Sequence, residues 1–373
     1  MKKVFCFILL IIIIVLICYF VFVRTNNTSY EGDIVESDNT EVEELEEYVA
    51  LFEEMGTVAD NKTKENGTVK ALSETENVIL RDDNGNPVTI PAGFGIAKDS
   101  ATIVEDGIII EDTSGTKNET GNQFVWIPVG IELDTESEEK VIKLSRYNFG
   151  TQGTTRIKKS EDDEIDADWD TSVKMTETKE NSVAKNIEEF INSANQNRGY
   201  YIGRYEAGTD KARTEKTDDS KLVSAKVKGN INSYIYATRD QSLKLSQEMY
   251  DDSNFTSDLI NSYAWDTAII FIEKCGNNND YAHQIRLQST IATTGNASDG
   301  TNKDVECNIY DLTGNVCEWT TEYADYSSEG TCCSRGGSYH NSYSCTASRY
   351  SGDPKTSDDI IGFRPIIYIN IEK

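Results

Sequence analysis

The sequence predicts an α+β domain with short strands, long loops and two core helices. Apolar residues recur at helical spacing over residues 183–194, and Gly199 marks the end of that pattern. Residues 264–272 predict the second helix, and residues 365–369 predict a closing strand. Short strands with long connections around two helices are typical of an α+β fold.

A small β unit is predicted over residues 76–120, ahead of the main domain. Apolar segments flank the pair Asn84-Gly85, a strong signal for a hairpin turn, and residues 108–110 predict a further strand. A unit of this size does not hold a core alone. We therefore expect it to pack on the main domain.

The N-terminus predicts a membrane anchor. Residues 4–23 form an unbroken apolar run of about 20 residues, long enough to span a bilayer as a helix. Lys2 and Lys3 favour a cytoplasmic tip at residues 1–3. We expect an uncleaved signal anchor, with cleavage as the alternative, and a cell-membrane localisation, single-pass, with the C-terminal domain outside the cytoplasm.

Residues 24–75 predict an acidic stalk. Apolar residues between Val42 and Met55 recur at steps of three and four, which predicts a short amphipathic helix. The pattern spans only two heptads. Packing on the rest of the chain is therefore expected, with a coiled coil as the alternative.

Charge restricts the partners. The chain has 36 basic and 64 acidic residues and a formal net charge of −28. Nucleic acid and anionic lipid headgroups would be repelled by such a surface. The sequence thus predicts no nucleic-acid partner.

Residues 308–319, with the sequence NIYDLTGNVCEW, carry the strongest local signal. Asp311 to Asn315 have turn chemistry, and the buried aromatic expected to follow is Trp319. Glu318 stands among apolar residues, and a buried carboxylate requires a cation or hydrogen-bond donors. The candidate arginines are Arg335 and Arg364.

Two motifs follow this segment, RGGSY at residues 335–339 and GFR at residues 362–364. Weaker motifs precede it: FVWIP at 124–128, YIGRYE at 201–206 and SYAWDTA at 262–268. Together these motifs resemble the formylglycine-generating enzyme family, also called the sulfatase-modifying factor family. The resemblance implies a heavily looped C-type lectin-like fold over residues 121–373.

The cysteine pattern departs from that of the family's oxidases. The resemblance to these oxidases implies two copper-binding thiolates after the RGGS serine. In this chain Asn341 stands at the first of these positions, and Cys345 falls one residue short of the second. With only His283 and His340, the chain also lacks the histidines of the iron-dependent branch. No copper or iron and no catalytic residue are expected. If the chain is an enzyme, the candidates are Cys345, His340 and Arg335.

The resemblance also implies calcium as a cofactor. In similar proteins the GNVxEW turn binds a calcium ion, which here assigns Asn315, Val316 and Glu318 as ligands. The alternative is an ion pair between Glu318 and an arginine without metal. A second acidic pattern, spaced like an EF-hand loop over residues 166–177, lacks the required glycine and is interpreted as a solvated loop.

Six cysteines lie beyond the apolar segment: Cys275, Cys307, Cys317, Cys332, Cys333 and Cys345. In an oxidising setting this even number predicts structural disulfides, with free thiols and a metal site as alternatives. Cys317 stands where the family usually has an aromatic residue. We expect it to be crosslinked to one of the three later cysteines.

These observations predict a membrane-anchored extracytoplasmic protein whose domain binds a surface ligand or serves cell-surface architecture without catalysis. The membrane, through residues 4–23, and an unidentified surface or envelope ligand are the expected partners. We expect the ligand near residues 339–345. The first alternative is an oxidoreductase-like enzyme of altered chemistry, and the second is a pilin-like surface subunit. The resemblance favours a bacterial source.

Overall fold

The computed structural model describes residues 55–113, 120–131, 141–149, 164–166, 172–286, 288–326, 330–340 and 344–371. The chain from Met55 onward clusters into one compact unit. The predicted tip at 1–3, the predicted anchor at 4–23 and all of the predicted stalk helix except Met55 lie outside the described residues.

The predicted membrane localisation is corrected by the structure. No helix within the described ranges is both long enough and apolar enough to cross a bilayer. The longest of these helices has 14 residues, whereas a span needs about 20. Because residues 4–23 are not described, the single-pass arrangement rests on no structural observation and is not retained.

The described elements are short, and strands outnumber helices. The helices are α1 (Val58–Asn61), α2 (Ile187–Gln196), α3 (Arg239–Gln247) and α4 (Ser262–Cys275). The strands are β1 (Val78–Arg81), β2 (Pro87–Ile90), β3 (Phe94–Ile96), β4 (Ile109–Asp112), β5 (Gln123–Pro128), β6 (Glu164–Asp166), β7 (Lys174–Thr176), β8 (Gly199–Gly203), β9 (Gly208–Thr209), β10 (Asn232–Ser233), β11 (Phe255–Leu259), β12 (Val305–Glu306), β13 (Ile309–Tyr310), β14 (Cys317–Asp325), β15 (Cys332–Arg335), β16 (Arg349–Gly352), β17 (Ile361–Phe363) and β18 (Pro365–Ile369). This content confirms the α+β prediction.

Both predicted core helices are present, and side-chain caps set where they begin. The Asn186 side chain accepts a hydrogen bond from Glu189 N at 3.1 Å, so α2 begins at the next residue. Asn261 caps α4 in the same way, accepting from Ala264 N at 2.8 Å. Helix α2 buries one face, whereas α4 is buried at ten of its 14 positions.

Helix α3 was not predicted because its apolar residues are few. Its N-terminus nevertheless has a capping box. The Thr238 hydroxyl accepts from Gln241 N, and the Gln241 side chain accepts from Thr238 N, each at 3.2 Å. The spacing Thr-x-x-Gln was the available sequence signal.

One antiparallel sheet has the strand order β11-β18-β8-β5-β4-β3. Its interior strands β8 and β18 are buried at every position, so they appear in the sequence as continuous apolar runs. Helix α2 packs on β8 and β18, and α4 packs on β5. Strands β3 and β4 pair into this sheet, which therefore extends across residue 120, where the sequence analysis placed a boundary.

The second sheet joins the segment 308–319 to the RGGSY and GFR motifs. Its order is β16-β15-β14-β7-β6, and β17 runs parallel to β14. Glu318 in β14 lies opposite Arg335 of β15 on one side and Gly362 of β17 on the other. The sheet therefore aligns motifs that are well separated in the chain.

Gly107 provides a test of close packing between the first sheet and the β12–β13 hairpin. Its φ is +84°, and a Cβ there would lie 2.7 Å from the Cys307 carbonyl carbon. We expect Gly107→Ala to lower the free energy of unfolding by about 2–3 kcal/mol, measured by urea unfolding. Gly300→Ala is the matched control, because Gly300 also has a positive φ but no atom within 4 Å. Equal losses in the two variants would contradict the steric explanation.

Candidate functional site

The DLTGN turn (residues 311–315) adopts the conformation that its sequence predicts. Asp311 and Asn315 have φ values of +58° and +64°, in the left-handed region that Asp and Asn tolerate. Trp319 follows in β14 with 1% of its surface exposed and donates from Nε1 to Ala237 O at 3.2 Å. A tight polar turn beside a buried aromatic is therefore confirmed.

Glu318 is paired with Arg364. Both side chains are buried, and Arg364 Nη2 lies 2.7 Å from Glu318 Oε1, with Nε 3.1 Å from Oε2. The same guanidinium donates to Gly203 O and Tyr310 O, each at 2.9 Å. Burial raises the pKa of Glu318, and the charge of Arg364 opposes this shift. This is the ion pair given as the alternative to calcium.

The calcium prediction does not fit this arrangement without displacement. Asn315 Oδ1 accepts from Gln288 Nε2 at 3.0 Å and from Ala292 N at 2.8 Å, and the Glu318 oxygens face Arg364. Val316 is 2% exposed. A calcium ion would have to replace these protein donors. The assignment of Asn315, Val316 and Glu318 as ligands stays a prediction.

The DLTGN turn accepts hydrogen bonds from a polar loop, residues 288–300. Asp311 accepts from Ala297 N at 3.1 Å and also from Gly295 N. The Asn315 contacts with Gln288 and Ala292 fasten the other end of this loop. Backbone N–H groups that would otherwise be left without partners are thereby satisfied.

Asp304 lies after the loop and binds the DLTGN turn through its carboxylate. Its Oδ2 accepts from Thr313 N at 2.9 Å and Gly314 N at 3.1 Å, and its Oδ1 accepts from the Tyr281 hydroxyl at 3.1 Å. Arg286 Nε lies 3.6 Å from the same carboxylate. Side chains on both sides of the loop therefore fix its position.

Between its anchors the loop forms the wall of an open cavity of about 600 Å³, the polar depression. The lining groups are mainly amides and hydroxyls with one carboxylate: Gln288, Ser289, Thr290, Ala292, Asn296, Ser298, Asp299 and Gly300. A smaller cavity of about 170 Å³ adjoins it, because Ala292 lines both. Sequence reasoning missed this surface, since residues 288–300 have neither periodicity nor a motif.

The pH dependence of stability tests two buried acids, Asp311 in the turn and Asp258 in β11. Burial, reinforced by the charge of Asp304, raises the pKa of Asp311 to about 7, and burial raises the pKa of Asp258 to about 6. The folded state then holds protons that the unfolded state releases near pH 4, so stability falls as pH rises from about 5 to 7. Each group contributes a slope of about 1 kcal/mol per pH unit.

We expect the melting temperature to decrease over that range and to level off above it. In Asp311→Asn the slope should shrink, because the amide does not titrate. Burial acts to raise the pKa of Glu322, but the charges of Arg349, Arg146 and Arg335 lower it to about 2. Glu322 therefore makes stability increase with pH, but only in the acid range below about pH 5. A melting temperature that rises from pH 5 to 7 would contradict the expectation.

The three residues considered for catalysis have different environments. Arg335 is fully buried, donates to Asp266 Oδ1 at 2.7 Å and lies over the Trp265 ring. Cys345 is half-buried and contacts the Ser348 hydroxyl at 3.4 Å. His340 is exposed at the surface. Because the Arg335 side chain is fully buried, a substrate cannot reach it. Asn341 lies outside the described residues.

The predicted crosslink of Cys317 is not shown. Its thiol donates to Ile360 O at 3.2 Å, and Cys332 donates to Gly352 O at 3.0 Å. Cys333 is fully buried. The described structure holds all three as free thiols.

Comparisons with known proteins agree with the family resemblance. Residues 251–369 match the model of the sulfatase-modifying factor enzyme 1-like domain. No curated protein matches the chain.

Similar solved structures include CarF, at 14% identity, covering 47% of this chain and 87% of that chain, with a TM-score of 0.30. Treponema denticola variable protein 1 is 14% identical over 45% and 84% of the two chains, with a TM-score of 0.29. The Major Tropism Determinant U1 variant is 14% identical over 83% and 75%, with a TM-score of 0.29. At these scores the similarities carry no conclusion about function.

Proposed function

Because the chain carries a sulfatase-modifying factor enzyme 1-like domain at residues 251–369, we propose that this domain is a non-catalytic binding module of the C-type lectin-like type. Its ligand binds in the polar depression. The observation that carries this proposal is the set of hydrogen bonds that loop N–H groups of Ala292, Gly295 and Ala297 donate to the side chains of Asn315 and Asp311.

Such support prepares the surface for binding. A loop held by buried side chains loses little conformational freedom when a ligand arrives, so less of the interaction energy is consumed in ordering it. Ser289 and Thr290 are exposed on this fixed backbone and present hydroxyl groups to solvent. A rigid loop with outward polar groups is the arrangement expected of a binding surface.

Charge favours a cationic or neutral polar ligand. Asp299 is exposed at the rim, and the chain as a whole has a net charge of −28. A surface with this excess of acidic residues repels anions and attracts cations.

The absence of catalysis is part of the proposal and rests on two observations. Asn341 stands where the family's oxidases have a thiolate, and a carboxamide is a poor ligand for copper(I). The Arg335 guanidinium is buried and donates a hydrogen bond to Asp266. The enzyme alternative predicts aldehyde formation on a cysteine peptide supplied with copper(I) and oxygen. We expect no aldehyde. If the wild type forms an aldehyde and Cys345→Ser does not, the claim that the domain is non-catalytic is overturned.

Blocking the polar depression tests the binding surface. We expect Thr290→Arg to weaken binding at least about tenfold, because a long cation fills the cavity and repels cationic ligands. The probe is an array of neutral oligosaccharides and lysine-rich peptides, read with the labelled full chain. Ile79→Arg is the matched control, since Ile79 is 51% exposed on β1 and does not line the cavity.

Retention on one ligand class by the wild type and by Ile79→Arg, with loss in Thr290→Arg, is the expected result. Equal retention by all three proteins would place the binding surface elsewhere. No retention on either class would contradict the proposed ligand chemistry.

A further inference from the structure

Two cysteines belong to neighbouring segments where α4 ends beside the β12–β13 hairpin. Cys275 is the last residue of α4, and a Cβ built on the next residue, Gly276, would lie 3.5 Å from Cys307 Sγ. Asn277 N donates to Glu306 Oε2 at 3.0 Å, so the two chain segments run side by side. Both thiols are half-buried against the same core.

The backbone at Cys307 is itself unusual. Cys307 and Asn308 form the two-residue turn of the hairpin, with φ values of +45° and +64°. Turns with two positive φ values ordinarily use Asn, Asp or Gly, and a cysteine at the first position is strained. Such strain persists only where the surrounding structure supports it, and it clusters at functional positions.

We propose that Cys275 and Cys307 form a reversible disulfide that closes the segment 276–306. This segment contains the whole lining of the polar depression. Oxidation would join its two ends covalently at the base of the loop, and reduction would leave them joined by hydrogen bonds alone. The pair is therefore a redox-controlled staple of the candidate binding surface.

The reaction is thiol–disulfide exchange with a small disulfide such as oxidised glutathione. The thiolate of Cys275 attacks one sulfur of the oxidant, forms a mixed disulfide and releases one molecule of reduced glutathione. The thiolate of Cys307 then displaces the second. The two protein thiols together lose two protons and two electrons, and the oxidant is reduced to two thiols.

The surroundings make this exchange slow at neutral pH. Burial, with the nearby charge of Glu105, raises the pKa of Cys275 to about 12. Burial and the neighbouring Cys275 raise the pKa of Cys307 as well. Because the thiolate is the attacking species, crosslinking should accelerate as the pH rises.

The other buried cysteines supply internal controls. The thiols of Cys317 and Cys332 donate hydrogen bonds to backbone carbonyls, and Cys333 is fully buried in β15. None of these three should enter a disulfide while the protein stays folded.

The test treats the folded full chain with oxidised glutathione at about pH 8.5, alkylates the remaining thiols and maps the peptides. We expect one crosslinked peptide pair containing Cys275 and Cys307, reversed by dithiothreitol. The melting temperature should rise by about 5 °C, since the disulfide closes a loop of about 30 residues. Cys307→Ser should abolish both changes, whereas Cys332→Ser should leave them intact.

Two outcomes would overturn the proposal. One is separate glutathione adducts on Cys275 and Cys307 without a crosslink. The other is complete alkylation of both thiols after exhaustive oxidation of the folded wild type. A crosslink found equally in Cys275→Ser would show that another cysteine is the partner, which also overturns the assignment.

Discussion

Arg364→Met is expected to lower the free energy of unfolding by about 3–5 kcal/mol, because it leaves the Glu318 carboxylate buried without its partner. The substitution also removes the donors to Gly203 O and Tyr310 O. These carbonyls belong to different parts of the fold, so one guanidinium joins β8, β13 and β14. Urea unfolding followed by circular dichroism measures the loss through the midpoint, at an unchanged slope.

The double variant Glu318→Gln with Arg364→Met separates the two contributions. Without a buried charge, the cost of Arg364→Met should be smaller in the Glu318→Gln background by about 1–3 kcal/mol. If the two losses simply add, the ion pair is not the source of the effect. Lys179→Met is a surface control, since Lys179 is 67% exposed, pairs with the exposed Glu188 and should change stability by less than about 1 kcal/mol.

Asp266→Ala is expected to cost a similar amount, about 3–5 kcal/mol. Asp266 is fully buried on α4, pairs with Arg335 at 2.7 Å and contacts Arg349. Its second oxygen accepts from Tyr147 N at 2.8 Å. Removing it leaves these two arginines with only Glu322 as an acidic partner among the described residues.

The measurement is again the urea midpoint, with Asp280→Ala as the matched control. Asp280 also contacts a nitrogen-bearing side chain, that of His283 at 2.7 Å, but the Asp280 side chain is 62% exposed. We expect the control to stay within about 0.5 kcal/mol of the wild type. A comparable loss in both variants would show that burial of the charge cluster is not what makes Asp266 important.

Local features of the chain were predictable where the cause lies within a few residues. The Asp311–Asn315 turn, the Asn84-Gly85 hairpin and the helix after Asn261 each depend on short-range chemistry, namely positive φ and side-chain capping. The requirement that Glu318 find a partner also followed from its apolar surroundings. The capping box of α3 was visible in the sequence, but its polar helix offered no periodicity to match it.

Partner choice was not predictable because it depends on which strands become neighbours. Glu318 had two candidate arginines, Arg335 and Arg364, that are each part of a family motif. Parallel pairing of β17 with β14 brings Arg364 to Glu318, whereas Arg335 turns to Asp266 on α4. No spacing in the sequence distinguishes these pairings, since both join residues far apart in the chain.

The amino-acid sequence alone established the α+β class, the family resemblance and the departure from the family's thiolate pair at Asn341. These conclusions rest on residue identity and local pattern. Only the tertiary structure showed that Asp311 and Asn315 support a polar loop, and that Cys307 lies beside the end of α4 that carries Cys275. Burial and proximity arise when distant segments pack together, and a carboxylate or a thiol acquires its role from the neighbours that packing gives it.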